Sequence, residues 1–255
     1  MIDRTTDGQV ATVTINDPER RNALSNDAIA ELRDAVEATG VDQDVRVVVI
    51  TGSGDDAFSA GGDLSGGFVD SPLPDHHKRG ALADLFRSMW ENPKPIVGRV
   101  NGAALGGGFG IAAACDITIA AEHSIFGTPE IDLGLWPMMI STVLADSVPP
   151  KRLLEMMMLG QTIDADEALD IGVVTRVAKE GELDTDVDAV VISLLAKSPA
   201  ALSLGKASYY AMRGMDSDTA LDFLHIGLTE VSYTQDAAEG VEAFLERRKP
   251  EWLGR

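Results

Sequence analysis

One glycine-rich stretch decides the fold of this chain: Asn101-Gly102-Ala103-Ala104-Leu105-Gly106-Gly107-Gly108-Phe109-Gly110. It follows an apolar run at residues 96–100, which predicts a strand, and it continues into Ile111-Ala112-Ala113-Ala114-Cys115-Asp116, which predicts a helix. Glycine lets a backbone approach a ligand closely, and the first amides of a helix are free to donate hydrogen bonds to negative charge. The stretch therefore predicts a sharp turn from strand to helix that presents unpaired N–H groups.

Strands and helices alternate on both sides of this stretch. Apolar patterns predict strands at residues 10–15, 45–50, 96–100 and 117–120, and helices at 25–39 and 81–91. The run at 45–50 is almost continuously apolar and β-branched, which is typical of a strand covered on both faces of a parallel sheet. The alternation predicts an α/β fold with parallel strand pairing.

The last third of the chain has a different pattern. After an expected strand at 173–177, helical spacing continues to the end, with helices expected at 187–196, 200–212, 219–233 and 237–248. Ser198-Pro199 interrupts these helices. We therefore expect a core at residues 1–195 and a helical C-terminal region at residues 196–255.

Composition excludes several classes of function. The 255 residues include 41 Asp+Glu against 21 Lys+Arg, which gives a formal net charge of −20, and 45% of them are apolar. The apolar content excludes a disordered protein. The negative charge argues against nucleic acid and against an anionic membrane surface as partners, because both carry phosphate.

Cysteine use and the N-terminus predict a cytoplasmic location. Cys115 is the single cysteine, so no intrachain disulfide can form, as in a reducing compartment. The first residues, Met1-Ile2-Asp3-Arg4, have no basic segment followed by an apolar one. No apolar run approaches the roughly 18–20 residues that cross a bilayer, and no Cys/His spacing is typical of a metal site.

Two further segments carry candidate chemistry. Phe58-Ser59-Ala60-Gly61-Gly62-Asp63-Leu64 follows the buried strand and is rich in small residues. Its amides and those after Leu105 could form an oxyanion hole, although each glycine cluster alone also fits a tight turn in the core. In Phe126-Gly127-Thr128-Pro129-Glu130-Ile131-Asp132-Leu133-Gly134-Leu135-Trp136-Pro137, Glu130 stands among apolar residues. Burial would raise its pKa and suit it as a general base, whereas an exposed Glu130 would have no such role.

Together these segments resemble the crotonase family, the enoyl-CoA hydratase/isomerase superfamily. The matching motifs, in order, are F-S-A-G-G-D-L at 58–64, N-G-x-A-x-G-G-G at 101–108, C-D-I at 115–117 and F-G-x-P-E-I-x-L-G at 126–134. The segments R-N-A-L-S at 21–25 and E-G-V-E-A-F-L-E-R-R-K-P at 239–250 are similar to that family as well. Several motifs in one order are much more specific than a single glycine cluster.

The resemblance implies a crotonase-like spiral of ββα units with a helical C-terminal region that builds homotrimers or hexamers. It implies an acyl-CoA thioester substrate and no metal or redox cofactor. The amides of Gly62 and Gly107 would hold the thioester oxygen, and Glu130 would be catalytic. The implied substrate-binding positions are Ala23, Ala60, Asp63, Leu64, Gly110, Trp136 and Lys249. Lys249 belongs to a basic cluster with Arg247 and Arg248, which fits either CoA phosphates, from the same or a neighbouring subunit, or a solvated helix end. Trp136 fits either the acyl pocket or ordinary core.

One position departs from the pattern of the hydratases. They carry a first glutamate directly after G-G-G-x, where this chain has Gly110. Hydration needs a water held between two carboxylates, so a single base favours isomerisation of a 3-enoyl to a 2-enoyl thioester. The missing side chain is also expected to leave space for a bulkier acyl group. The alternatives are a specialised hydratase that uses Glu130 alone, another enolate reaction such as thioester hydrolysis, and a non-catalytic acyl-CoA-binding protein.

Overall fold

The computed structural model describes residues 1–63 and 80–255, and one large sheet forms its centre. The strands of this sheet are Ile2–Asp7 (β1), Val10–Ile15 (β2), Val47–Gly52 (β3), Ile96–Val100 (β5), Ile117–Ala121 (β7) and Arg176–Ala178 (β10). They lie in the order β1-β2-β3-β5-β7-β10, antiparallel at β1–β2 and parallel elsewhere. Every residue of β3 is buried, as its β-branched run predicts.

Short strands form a second sheet beside the first. They are Ala57–Ser59 (β4), Ala103–Leu105 (β6), Ile125–Gly127 (β8) and Thr162–Asp164 (β9), in the order β4-β6-β8-β9. A long strand of the first sheet precedes a short strand of the second in the pairs β3/β4, β5/β6 and β7/β8, and a helix or helical turn comes before the next long strand. This repeated step confirms the α/β class and the crotonase-like spiral.

Helices cover the sheets and make up the C-terminal region. Those of the described residues are Asn26–Val41 (α1), Ala81–Glu91 (α2), Gly107–Ala114 (α3), Met138–Leu144 (α4), Pro150–Leu159 (α5), Ala165–Asp170 (α6), Leu183–Leu195 (α7), Pro199–Ala211 (α8), Ser217–Ser232 (α9) and Gln235–Glu246 (α10). The side chains of Ser25 and Ser198 accept hydrogen bonds from the first turns of α1 and α8. Single 3-10 turns lie at Pro18–Arg20 and Pro129–Leu133.

The strand expected at residues 173–177 is wrong in its position. Val173 and Val174 are buried, but they follow α6 as a loop whose amides donate to the carbonyl of Ala168. Pairing with β7 begins only at Arg176. Apolar side chains can be buried in a loop as well as in a strand, so the apolar run alone misplaces the element.

The C-terminal helices follow a break between α7 and α8. The helix α7 ends at Leu195, and Ser198 caps α8, so the chain turns near the boundary expected from the sequence. The division into residues 1–195 and 196–255 stays a prediction. Within the described part of the chain, no single helix has both the length and the apolar composition to cross a membrane, and α7 and α8 reach these criteria only as a pair bent by 103°.

Candidate active site

Two glycine-rich segments pass against each other where β4 and β6 end. Gly61 has a φ of +92°, and a Cβ at this position would lie 2.8 Å from the carbonyl oxygen of Leu105. Only glycine allows both this backbone conformation and this approach. The segments therefore meet at Gly61 and Gly106, which brings Gly62 and Gly107 to adjoining positions.

The amide of Gly62 is left free by the way its segment pairs. Leu24 forms a parallel bridge with Gly62, in which Leu24 donates to the carbonyl of Gly61 at 2.8 Å and the Asp63 amide donates to Leu24 at 2.9 Å. In a parallel bridge the central residue turns its own N–H away from its partner. Gly62 is exposed, and its amide has no acceptor in residues 1–63 and 80–255. The amide is available to a ligand.

Gly107 offers a second free amide because it begins α3. The preceding residue, Gly106, has a φ of +50°, and its own amide donates to the carbonyl of Gly127 at 2.9 Å. The first amides of a helix have no partner within the helix, and the helix dipole favours negative charge there. We call the N–H groups of Gly62 and Gly107 the amide pair. Their placement matches what an oxyanion hole requires, two donors from two backbone segments.

Glu130 lies on the 3-10 turn that follows β8, and its carboxylate reaches the same place. A Cβ at Gly106 would lie 2.9 Å from Oε1 of Glu130, so the carboxylate rests against the Gly106 backbone. Oε2 is buried without a hydrogen-bond partner among the described residues. Burial raises the pKa of the Glu130 carboxyl above its ordinary value. Asp132, two residues along, is exposed and lies against Gly160.

Gly110 lies one turn after Gly107 on α3, and the space beside it is filled. A Cβ at Gly110 would lie 2.5 Å from Cγ2 of Ile140 and 2.8 Å from Cζ of Phe86. Both side chains are buried, 2% exposed for Ile140 and 3% for Phe86. The expectation that Gly110 leaves room for a bulkier acyl group is therefore wrong, because α2 and α4 place hydrocarbon in that volume.

Three of the expected substrate-binding residues lie together at the edge of the site. The amide of Ala60 donates to the carbonyl of Arg21. This hydrogen bond sets the glycine-rich segment at 58–64 beside the segment at 21–25, which holds Ala23. Asp63 accepts a hydrogen bond from Arg20 at 2.8 Å. The fourth residue of this group, Leu64, lies outside the described residues. These contacts bring Ala23, Ala60 and Asp63 to one surface next to Gly62.

The remaining two expected residues lie apart from this surface. Trp136 is partly buried and packs against the main hydrophobic core. Lys249 is exposed beyond the end of α10. Its neighbour Arg248 forms ion pairs with three glutamates, Glu239, Glu242 and Glu246. Arg248 is therefore engaged by glutamates of α10, which leaves Lys249 and Arg247 as the better candidates for a phosphate contact.

Two buried asparagines that the sequence analysis did not single out hold residues 52–57, which lead into the glycine-rich segment at 58–64. Asn22 donates to the carbonyls of Ser53 and Ala57, at 3.0 and 2.7 Å, and accepts from the Asp17 amide. Asn101 accepts from the Gly52 amide at 3.1 Å and also donates to Ala57. Both residues stand inside the quoted motifs. The signal that could have identified both residues is an amide side chain within an otherwise apolar motif, because a buried amide needs hydrogen-bond partners.

Nearly the whole chain matches a known family. Residues 5–255 match the family model described as enoyl-CoA hydratase/isomerase. The chain belongs to the enoyl-CoA hydratase/isomerase family. The resemblance stated from the motifs is confirmed, and the chain is an enzyme of the crotonase type.

Relatives and solved structures of this family cover nearly the full length. The chain is 36% identical over 250 residues to a protein of Syntrophomonas wolfei subsp. wolfei named crotonyl-CoA hydratase, with 97% of this chain and 95% of the relative covered. It is 36% identical over 247 residues to the short-chain-enoyl-CoA hydratase of Clostridium acetobutylicum, with 96% and 94% covered. The crystal structure of an enoyl-CoA hydratase of Mycobacterium smegmatis aligns with a TM-score of 0.94 at 32% identity, with 98% of each chain covered.

Metal ligands do not gather in the described part of this family member. In residues 1–63 and 80–255, no group of three or more His, Cys, Asp or Glu side chains is arranged to hold a metal ion. Cys115 is buried, and burial raises the pKa of its thiol. Among the described residues, the amide pair and the carboxylate of Glu130 are the polar groups that we place at the site.

Proposed function

We propose that this family member moves the double bond of a 3-enoyl-CoA thioester to the 2-position, with Glu130 as its acid–base residue. One observation carries the proposal. The carboxylate of Glu130 lies at the amide pair, whereas Phe86 and Ile140 fill the volume beside Gly110, where hydratases of the family carry their first glutamate. A site in which the described residues supply one carboxylate suits a reaction in which one group both removes and returns a proton.

The chemistry follows from where charge develops. The amide pair donates to the thioester carbonyl oxygen, which gains negative charge as a proton leaves C2. Glu130 takes that proton, and the electrons of the broken C–H bond delocalise into a dienolate. Glu130 then returns the proton at C4, so that no proton is gained or lost overall. Its raised pKa suits both directions, because the carboxyl group must act as base and then as acid.

Hydration of a 2-enoyl-CoA is the second candidate. The names of the relatives in Syntrophomonas and Clostridium favour it, because both are called hydratases. Water addition would require Glu130 alone to activate the water that attacks C3 and to supply the proton for C2. The hydrocarbon beside Gly110 offers no second group for this work. We therefore place isomerisation first.

Substrate binding is proposed on the surface beside Gly62. Ala23, Ala60 and Asp63 would line the adenine end of the CoA group, with Leu64 completing that segment. Lys249 would contact the phosphates. Trp136 would border the acyl chain. We propose no resident cofactor, because CoA arrives as part of the substrate and proton transfer needs only the groups described above.

We also propose a homotrimer or hexamer built by the C-terminal helices. Large apolar side chains of α9, α10 and their flanks are exposed in the single chain, and they are Leu221, Ile226, Leu228, Tyr233, Val241, Phe244, Leu245 and Leu253. Exposed apolar surface of this extent is typical of a protein–protein interface. A cytoplasmic location is proposed together with this assembly, since a lone buried thiol suits a reducing compartment.

Parallel assays on a 3-enoyl-CoA and a 2-enoyl-CoA test the reaction. We expect the wild type to isomerise the first substrate at least about tenfold faster than it hydrates the second. In Glu130→Gln, isomerisation should fall about 10²–10⁴-fold while the dissociation constant for the CoA thioester changes little, because the amide pair is intact. A substrate deuterated at C2, followed by NMR, reports the two proton transfers directly, because deuterium that Glu130 removes from C2 should appear at C4.

A matched control lies two residues away. Asp132→Asn removes a carboxylate from the same 3-10 turn, but that carboxylate is exposed and faces Gly160, so activity should be retained. Faster hydration than isomerisation by the wild type would replace the first proposal with the hydratase. Glu130→Gln with near wild-type rates would exclude Glu130 as the base in either reaction.

A further inference from the structure

The space beside Gly110 is filled by side chains of two other helices, α2 and α4. The positions that a Cβ at Gly110 would occupy are taken by Cγ2 and Cβ of Ile140, at 2.5 and 3.0 Å, and by Cζ of Phe86 at 2.8 Å. Separations below 3.0 Å are not tolerated in a close-packed interior without movement of a neighbour. We call the cluster of Gly110, Phe86 and Ile140 the apolar seal.

Neither neighbour can yield easily. The contacting atoms of Ile140 sit at the base of a β-branched side chain, so turning χ1 exchanges one branch for another, and Ile140 is 2% exposed on α4. The ring of Phe86 is stacked on Trp90 at 6.2 Å between centroids, and Trp90 is stacked on Tyr210 at 5.9 Å. The aromatic row packs against Phe86 and so limits its movement.

The seal faces the site through the geometry of α3. Gly107 and Gly110 are three residues apart, so they lie on one face of the helix. Side chains of a helix lean toward its N-terminus, and a side chain at 110 would therefore point back toward the Gly107 amide. A carboxylate there would complete a two-carboxylate site with Glu130. The seal occupies the position that the Cβ of such a side chain would need.

We propose that Phe86 and Ile140, together with Gly110, determine which reaction the enzyme performs, by keeping the position of the second acid–base group apolar. This rests on the proposed function, of which it names the specificity-determining residues. It implies that Gly110→Glu alone does not create a hydratase, because the new side chain has no room. The substitution must be combined with Ile140→Ala and Phe86→Leu, which remove the contacting Cγ2 and Cζ atoms.

A double-mutant cycle tests the packing without any substrate. Gly110→Ala should lower the Tm by roughly 2–12 °C in the wild-type background. In the Ile140→Ala background the same change should cost less, because Cγ2, the closest of the clashing atoms, is gone while Cζ of Phe86 remains. Ile140→Val is the matched control, since valine keeps both carbons on Cβ and the full cost of Gly110→Ala should return. An equal cost in all three backgrounds would overturn the seal.

Hydration of a 2-enoyl-CoA tests the functional half. Gly110→Glu in the Ile140→Ala/Phe86→Leu background should hydrate at least about tenfold faster than that background with Gly110, and Gly110→Glu alone should show no gain. A folded triple variant without a gain would refute the assignment of specificity to the seal. An equal gain from Gly110→Glu alone would refute it as well. Failure of the proposed isomerisation would be seen separately, in the wild-type ratio of isomerisation to hydration.

Discussion

Glu130→Gln should stabilise this protein at neutral and alkaline pH while abolishing its chemistry. Oε2 of Glu130 is buried without a partner among the described residues, and burial raises the pKa of the carboxyl group. A carboxyl group whose pKa is raised on folding binds its proton more tightly in the folded chain than in the unfolded one. Its contribution to stability is therefore complete below its ordinary pKa and is lost as the pH rises through the folded pKa. Glutamine removes this loss.

The size of the effect follows from linkage. Each pKa unit by which burial raises the carboxyl corresponds to about 1.4 kcal/mol of unfolding free energy lost once the group is ionised. For a chain of this length, about 1.4 kcal/mol corresponds to roughly 3–6 °C in Tm. Glutamine also places a polar group in the same pocket, so the cost of an unsatisfied buried polar atom, about 1–3 kcal/mol, is common to both proteins and largely cancels. The pH-dependent part of the difference in unfolding free energy between Glu130→Gln and the wild type then reports the carboxylate charge.

Thermal unfolding of the two proteins between pH 4.5 and pH 8.5 measures this difference. The Tm of Glu130→Gln minus that of the wild type should be positive at pH 8.5 and should shrink as the pH falls. Asp132→Asn controls for the loss of any one negative charge from a chain of net charge −20. A difference that is negative at pH 8.5, or that does not change with pH, would refute the claim that the buried carboxylate is held at a cost to stability.

Two further substitutions test the support of the site and of the C-terminal region. Gly106→Ala would place a methyl 2.9 Å from Oε1 of Glu130 at a φ of +50°, so kcat should fall by about 10²-fold, whereas Gly205→Ala on α8, where a Cβ meets nothing within 4 Å, should leave kcat unchanged. The Asp236 carboxylate is 1% exposed and accepts hydrogen bonds at 2.6–2.9 Å from the Ser198 hydroxyl, which caps α8, and from two amides of the C-terminal tail. Asp236→Ala would leave these three donors without their acceptor. The free energy of unfolding should fall by about 3 kcal/mol in denaturant titration. It should fall by only about 1 kcal/mol in Asp216→Ala, which removes the exposed cap of α9.

Long elements were predictable because their patterns are local. The buried run of β3 and the capped start of α1 at Ser25 are written in consecutive residues, and the structure confirms both. Three-residue strands such as β4 and β6 are too short for any period, and the segments that contain them were expected to be turns or loops. They exist because they pair with one another across the chain, which no local pattern records.

The candidate site divides in the same way. The motifs identified Glu130 and the two glycine segments, and the structure brings them into contact at Gly61 and Gly106. The volume beside Gly110 was not predictable, because it is set by side chains on two other helices. A missing side chain in a motif indicates a vacancy only if the neighbouring helices leave one. Here the side chains of Ile140 and Phe86 fill that space.

The two glycines of α3 and its preceding turn have opposite consequences for the chemistry. Gly106 leaves room for a carboxylate, because any Cβ there would meet Oε1 of Glu130. Gly110, one helical turn away, leaves room for hydrocarbon. The start of α3 therefore has the Glu130 carboxyl group against Gly106 and hydrocarbon against Gly110. A proton can move along an acyl chain under a single carboxylate in such a site, whereas among residues 1–63 and 80–255 the hydrocarbon beside Gly110 offers a water at C3 no second carboxylate. This asymmetry, rather than the loss of one glutamate in the motif, is the physical reason for placing isomerisation before hydration.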